Sequence, residues 1–307
     1  MRIDSKNKIF ALDKIDSPEV FFPDYVKDYL SKYVDYLRDI QCPEDKVNKI
    51  EKFAKDIYCC LREYYFGQHE SSLFYFRRAI ESIHFDAFYR KVSADTFYRA
   101  RTNKETTLYQ ADEMFHICFE KRHLVKTQRY SYPGLPCLYL GSTVEVCCEE
   151  LDCRDHNLNI AEIRKNTATD ICVFDLYFFE NYDFNNLSDE EESRFVELWP
   201  LVACCSFRYK DASEMSFRPD YIIPQLLLEI IVDNVAEEHL HGNDIEVHGI
   251  RYHSVRKPLL HHVSDKEKSV YINYVFPVNS CEPTGFCEEL QSLFRVERIF
   301  KLEEYTP

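Results

Sequence analysis

The apolar residues of this chain change period near position 93. Before it they recur three and four apart: Val47, Ile50, Phe53, Ile57, Leu61 and Tyr64 form one series, and Leu73, Phe76, Ile80 and Ile83 another. That spacing lines one face of a helix and leaves no strand alternation between residues 18 and 91. Pro43 followed by Glu44 and Asp45 marks a helix start, because proline fits the first turn and carboxylates favour the positive end of the helix dipole. Gly67 marks the end of that helix, and SLFYFRRAIESIHFDAF predicts another. From Thr96 onward short runs rich in β-branched and aromatic residues take over. CLYLG, ICVFDLYFF, GIRYHSV and YINYVFPV predict strands, and TVEVCCEEL, EESRFVELWPLVACC and IPQLLLEIIVDNVAEEHL predict helices between them. The expected fold class is α+β, with an all-helical domain over residues 1–93 and a mixed domain over residues 94–307.

A chain of 307 residues with 45% apolar and 15% aromatic side chains has enough material for a core. Its 53 acidic against 38 basic residues give a net charge of −15, which disfavours nucleic-acid binding across the surface and makes any local cluster of cations conspicuous. With only 6 glycines and no Gly-rich phosphate loop, neither a P-loop nor a Rossmann fingerprint is present. The 13 cysteines include the adjacent pairs Cys59-Cys60, Cys147-Cys148 and Cys204-Cys205, and no C-x-x-C spacing supports a metal site. Together with an N-terminus MRIDSKNKIF that lacks the regions of a secretory signal, and with no stretch approaching a membrane span, this predicts a cytoplasmic protein with reduced thiols.

The stretch RYSYPGLPCLYLGSTVEVCCEEL, residues 129 to 151, concentrates unlike chemistries. Pro133-Gly134 predicts a turn, Cys137 to Leu140 a strand and Thr143 onward a helix, so Arg129, Tyr139 and the Glu149-Glu150 pair can converge around one strand. A forked cation, an aromatic ring and a carboxylate suit a phosphorylated, sugar-bearing ligand and a developing positive charge on its sugar.

The run FYRAR at 97 to 101, then RYSYPGLPCLYLGS with the glutamate after it, then GIRYHS at 249 to 254 and NYVFP at 273 to 277, resembles the RES family over residues 95 to 300. That family is named for an arginine, a glutamate and a serine, and its members resemble ADP-ribosyltransferase toxins in fold. The resemblance implies an enzyme that cleaves the nicotinamide–ribose bond of NAD+. The acceptor is either water or inorganic phosphate, the latter giving ADP-ribose 1''-phosphate, and no metal is required. It also implies a toxin or defence effector with an antitoxin protein as partner. On the matching positions, the signature arginine falls on Arg129, the tyrosine on Tyr139, the glutamate on Glu150 and the serine of the Tyr-x-Ser pattern on Ser254, with Glu149 as the competing carboxylate. Gln128 and Tyr130 stand where family members commonly have glycine and tryptophan. Arg129, Tyr139 and Glu150 are the expected catalytic residues. Arg99, Arg101, His116, Ser254 and Asn273 are the expected contacts to NAD+, with a satisfied, partly buried histidine as the favoured alternative for His116.

The helical front resembles the all-α, HEPN-like domains attached to some RES proteins. Arg78 with His84, and Arg62 with His69, have the Arg-to-His spacing of certain HEPN ribonucleases. Homodimerisation or partner sensing is the expected use of this region, with Tyr64-Tyr65-Phe66 and Phe74-Tyr75-Phe76 supplying apolar surface. Two other outcomes for the same NAD+ pocket are transfer of ADP-ribose to a macromolecule and noncatalytic sensing of the dinucleotide.

Overall fold

A computed structural model describes residues 2–12, 14–103, 107–151, 157–166, 168–210, 215–236, 246–257, 270–280 and 282–305. Seven helices are named here in chain order: α1 (Phe22–Asp39), α2 (Glu44–Tyr65), α3 (His69–Glu81), α4 (Val144–Leu151), α5 (Asp189–Ser206), α6 (Ile222–Ala236) and α7 (Glu288–Leu293). The strands are β1 (Tyr89–Lys91), β2 (Thr96–Thr102), β3 (Cys137–Gly141), β4 (Leu158–Lys165), β5 (Cys172–Asp175), β6 (Gly249–His253), β7 (Ile272–Pro277) and β8 (Phe294–Lys301). The class is α+β, and the chain divides into a helical unit, Met1–Phe88 with Phe178–Ile230, and a sheet unit, Tyr89–Tyr177, Ile231–Lys257 and Val263–Pro307.

In the helical unit, α2 begins after Pro43 with Glu44 and Asp45 in its first turn, and it stops before Gly67, whose φ of +73° suits a residue without a Cβ. Its buried residues Val47, Ile50, Phe53, Ile57, Cys60 and Leu61 follow the helical period. The division expected at residue 93 differs from the structure in two respects: the break falls after Phe88, since Tyr89–Lys91 is a strand paired with β5, and Phe178–Ile230 joins the N-terminal helices. The physical reason for the second lies in α5. It starts with a capping box at Ser188 and Glu191 and is then buried almost continuously from Phe195 to Cys205, so it needs neighbours on every side. Those neighbours include α1: the Tyr33 hydroxyl donates to the Val196 carbonyl (2.9 Å) and Trp199 Nε1 donates to the Tyr29 hydroxyl (2.8 Å). Sequence order alone hides this association.

The sheet unit holds eight strands in the order β1-β5-β6-β7-β3-β2-β4-β8. All neighbours are antiparallel except β5 and β6, which run parallel. The expected strand ICVFDLYFF shortens to Cys172–Asp175, and β4 and β8, two interrupted by charged residues that the sequence reading passed over, pair with each other over seven positions. Phe97, Tyr274, Phe276 and Phe294 pack edge to face or tilted against one another and form an aromatic part of this unit's core.

Candidate active site

Three central strands set the platform. Asn273 on β7 lies opposite Gly141 of β3 on one side and Tyr252 of β6 on the other, while Val275 lies opposite Tyr139 and Ile250. Paired residues in an antiparallel ladder share a face, so Tyr139, Asn273 and Tyr252 project to the same side. Ser254 follows Tyr252 by two residues and continues that side.

Helix α4 delivers the carboxylate. The Thr143 hydroxyl accepts from the Val146 amide (3.2 Å) and caps its start, and Ser142 and Thr143 both donate to the Val270 carbonyl. Gly141 permits the helix to lie close to β3: a Cβ there would stand 2.6 Å from Val146 Cγ1 and 2.7 Å from Cys147 Sγ. At the other end of the helix, Glu150 Oε1 accepts hydrogen bonds from Ser254 Oγ (2.6 Å) and Asn273 Nδ2 (2.8 Å). Glu150 Oε2 is 3.5 Å from Arg256 Nε, and the carboxylate side chain remains 35% exposed. Glu149 points elsewhere and pairs with Lys257 at 2.8 Å. The two adjacent glutamates therefore occupy different environments: one oxygen of Glu150 is held by two neutral donors and the other lies near Arg256, whereas Glu149 sits in a close ion pair with Lys257.

Arg129 and Tyr130 form the tip of a two-residue turn, closed by the backbone pair between Gln128 and Ser131 (3.0 and 3.2 Å), and both are buried. Pro133-Gly134 makes the expected second turn, with Gly134 at φ +86°. The Tyr130 ring lies 4.6 Å from that of Tyr252. Burial pushes the Tyr252 phenol well above its ordinary range; the Glu150 charge, Tyr139 and Tyr130 add to that effect, and Arg129 opposes it. Tyr252 thus packs on Tyr130 and, opposite Asn273 in the ladder, lies on the side of the sheet from which Glu150 is held. Within GIRYHS the resemblance gives Tyr252 no role, although the two-residue repeat of a strand places it on the side of Ser254.

Arg99 and Arg101 form a second group. Arg99 Nη1 donates to the Tyr139 carbonyl (2.9 Å) and Arg101 Nη2 to the Phe115 carbonyl (2.9 Å), and no carboxylate pairs with either among the described residues. Burial lowers Arg99 to about 9, with the Arg101 charge adding to the effect, and burial also lowers Arg101. Both guanidinium groups are thus desolvated, and Tyr109 and the nearby Glu113 charge oppose the lowering at Arg101. His116 sits near both but is used up: its Nε2 accepts from the Cys287 amide (3.0 Å) and its Nδ1 lies 2.8 Å from the Ile117 carbonyl. Burial lowers it, the Ile117 carbonyl opposes, and Arg99 and Arg101 lower it further. The geometry is that of a satisfied buried histidine.

Neither HEPN-like pair lies on one helix. Arg62 belongs to α2 and His69 opens α3, across the Gly67 turn, while Arg78 Nε donates to buried Asp56 (3.0 Å) and His84, beyond the end of α3, faces Glu197 at 2.7 Å. A grouping of Glu246, His248 and Glu289 has the compactness of a cation site. There the Cys172 amide donates to His248 Nδ1 (3.3 Å), which leaves the ring proton on Nε2 and an N–H, not a lone pair, facing Glu246. Among the described residues no helix is long and apolar enough to cross a membrane.

The chain matches no protein-family model and no solved structure. It is similar to a Bacillus subtilis (strain 168) protein named "Putative toxin YopC", with 28% identity over 320 aligned positions that cover 94% of this chain and 68% of that protein.

Proposed function

We propose that the sheet unit cleaves the nicotinamide–ribose bond of NAD+ and that the protein acts as a toxin held in check by an antitoxin. The observation that carries this reading is the anchoring of one oxygen of Glu150 by two neutral donors, Ser254 and Asn273, beside the buried phenol of Tyr252. These two donors fix the carboxylate without cancelling its charge, and Arg256, 3.5 Å from the other oxygen and partly exposed, offsets that charge only in part. Glu150 is then able to stabilise the positive charge that develops on the ribose as the carbon–nitrogen bond breaks and its electron pair leaves with neutral nicotinamide. Ser254 and Asn273 hold the carboxylate, and Tyr139 and Tyr252 offer ring faces and hydroxyls to the sugar and pyridine. Arg129 supplies a guanidinium fork for the pyrophosphate. The new bond forms from the ribose carbon to an oxygen of water or of inorganic phosphate, whose proton passes to solvent. The unpaired Arg99 and Arg101 favour phosphate as that acceptor. The toxin reading is supported by the name of the relative.

The deciding experiment incubates the purified full chain with NAD+, with and without phosphate, and identifies the products by mass. Nicotinamide is expected in both cases, with a phosphorylated ADP-ribose when phosphate is present. Glu150→Ala should lower turnover by more than about tenfold while Glu149→Ala stays near the wild-type rate. Turnover that survives Glu150→Ala and vanishes with Glu149→Ala would exchange the roles of the two carboxylates, and intact NAD+ throughout would sink the enzymatic reading.

A further inference from the structure

The helical unit contains a pocket of about 490 Å³ between its N-terminal segment and α1, made from residues none of which belongs to the Glu150 site. Its volume falls in the range of small-ligand sites. Three ammonium groups rim it: Lys8 from the first short turn, Lys14 from the following extended segment and Lys32 from α1. All three are exposed, and none lies in an ion pair with a described carboxylate. The wall carrying Lys14 is fixed by backbone hydrogen bonds from the Ile15 amide to the Arg208 carbonyl (2.8 Å) and from the Lys210 amide to the Ile15 carbonyl (3.0 Å). The floor is aromatic, with the Tyr25 ring 5.3 Å from Phe207 and the Tyr29 ring 5.0 Å from it, each edge to face.

Two carboxylates also line the pocket, and they are not equivalent. Asp16 is ion-paired with Lys210, whereas Asp28 makes no ion pair among the described residues although it stands one turn before Lys32 on the same face of α1. The pocket therefore combines three cations and one carboxylate that make no ion pair among the described residues with an aromatic floor. Cations on flexible stems suit phosphate oxygens, a lone acceptor carboxylate suits a sugar hydroxyl or an exocyclic amine, and the floor suits a base.

We infer that this pocket binds a nucleotide polyphosphate, with Lys8, Lys14 and Lys32 on the phosphates and Asp28 on the nucleoside. The site stands apart from the proposed NAD+ chemistry and does not depend on it. Isothermal titration of the full chain with ADP, and separately with inorganic tripolyphosphate, tests it. Both probes should saturate. A K8A/K14A/K32A variant, altered only at exposed positions, should bind each at least about tenfold more weakly, and Asp28→Asn should weaken ADP alone. Glu150→Ala should leave both unchanged. Equal affinity in the triple-lysine variant, an absence of saturation, or capture of an acidic poly-glutamate peptide in place of ADP would each overturn the assignment.

Discussion

The helical unit and the surroundings of Glu150 treat charge differently, although elsewhere on β6 Arg251 meets buried Asp175 at 2.8 Å in the manner of the helical unit. In the helical unit, buried Asp56 meets Arg78, buried Glu197 meets Lys46 at 3.2 Å, and buried Asp220 meets Arg218 at 2.7 Å. Around the site, one oxygen of Glu150 is held by a serine and an asparagine with Arg256 more distant at 3.5 Å from the other, and Arg99 and Arg101 end on backbone carbonyls. A charge matched by its opposite fastens helices together and presents little field beyond itself. A charge gripped by dipoles keeps its field, which is what a ligand of opposite sign meets. The difference separates groups that serve the scaffold from those to which the proposed chemistry is assigned.

His253 is the most severe case on the sheet side, and it offers the largest test of the contrast. It is 3% exposed, and neither ring nitrogen has a hydrogen-bond partner of normal geometry among the described residues. Burial pushes it down to about 4; the Ser254 backbone opposes, and Arg251 nearby adds to the depression. Because the folded chain resists protonation there while the unfolded chain does not, stability from this residue is complete above pH ~6.5 and declines as pH falls towards 4, by up to about 3 kcal/mol. Denaturant melts across that window should be steeper in pH for the wild type than for His253→Leu. Identical slopes would mean that the sheet unit accommodates its charges as well as the helical unit does.

A smaller effect is expected where fold and site share a residue. Gly141→Ala inserts a methyl against Val146 and Cys147, so α4 must shift, at a cost of about 1–3 kcal/mol. The loss of NAD+ turnover should exceed what the lowered melting temperature explains, since Glu150 rides on the same helix. The smallest effect belongs to the helical unit. Ser188→Ala removes the α5 cap and should cost about 1 kcal/mol in denaturant titration with turnover unchanged. A fall in turnover with that variant would blur the division drawn above.

Much of the site was legible because its groups lie in compact motifs. Arg129, Tyr139 and Glu150 fall within one strand and its flanks, and Asn273 sits on, and Ser254 just after, short strands rich in β-branched and aromatic residues. The choice between Glu149 and Glu150 was not legible, since neighbours on a helix differ by a rotation that only the partners Lys257, Ser254 and Asn273 reveal. His116 illustrates another limit: its acceptor role depends on the Cys287 amide, 171 residues away. The membership of α5 in the helical unit escaped for a related reason, as a helix buried all round carries no stripe to say which neighbours bury it.

The four residues from Ser254 to Lys257 have a consequence for how this site can drift. Ser254 grips Glu150, Arg256 donates to its backbone carbonyl at 3.0 Å, and Lys257 grips Glu149. That short segment works like a detent, holding α4 at one rotational click in which the outer acid is clamped and the inner one is presented. Inserting a single residue into it would be expected to advance the click and exchange the two glutamates, a change of wiring achieved with every original side chain still in place.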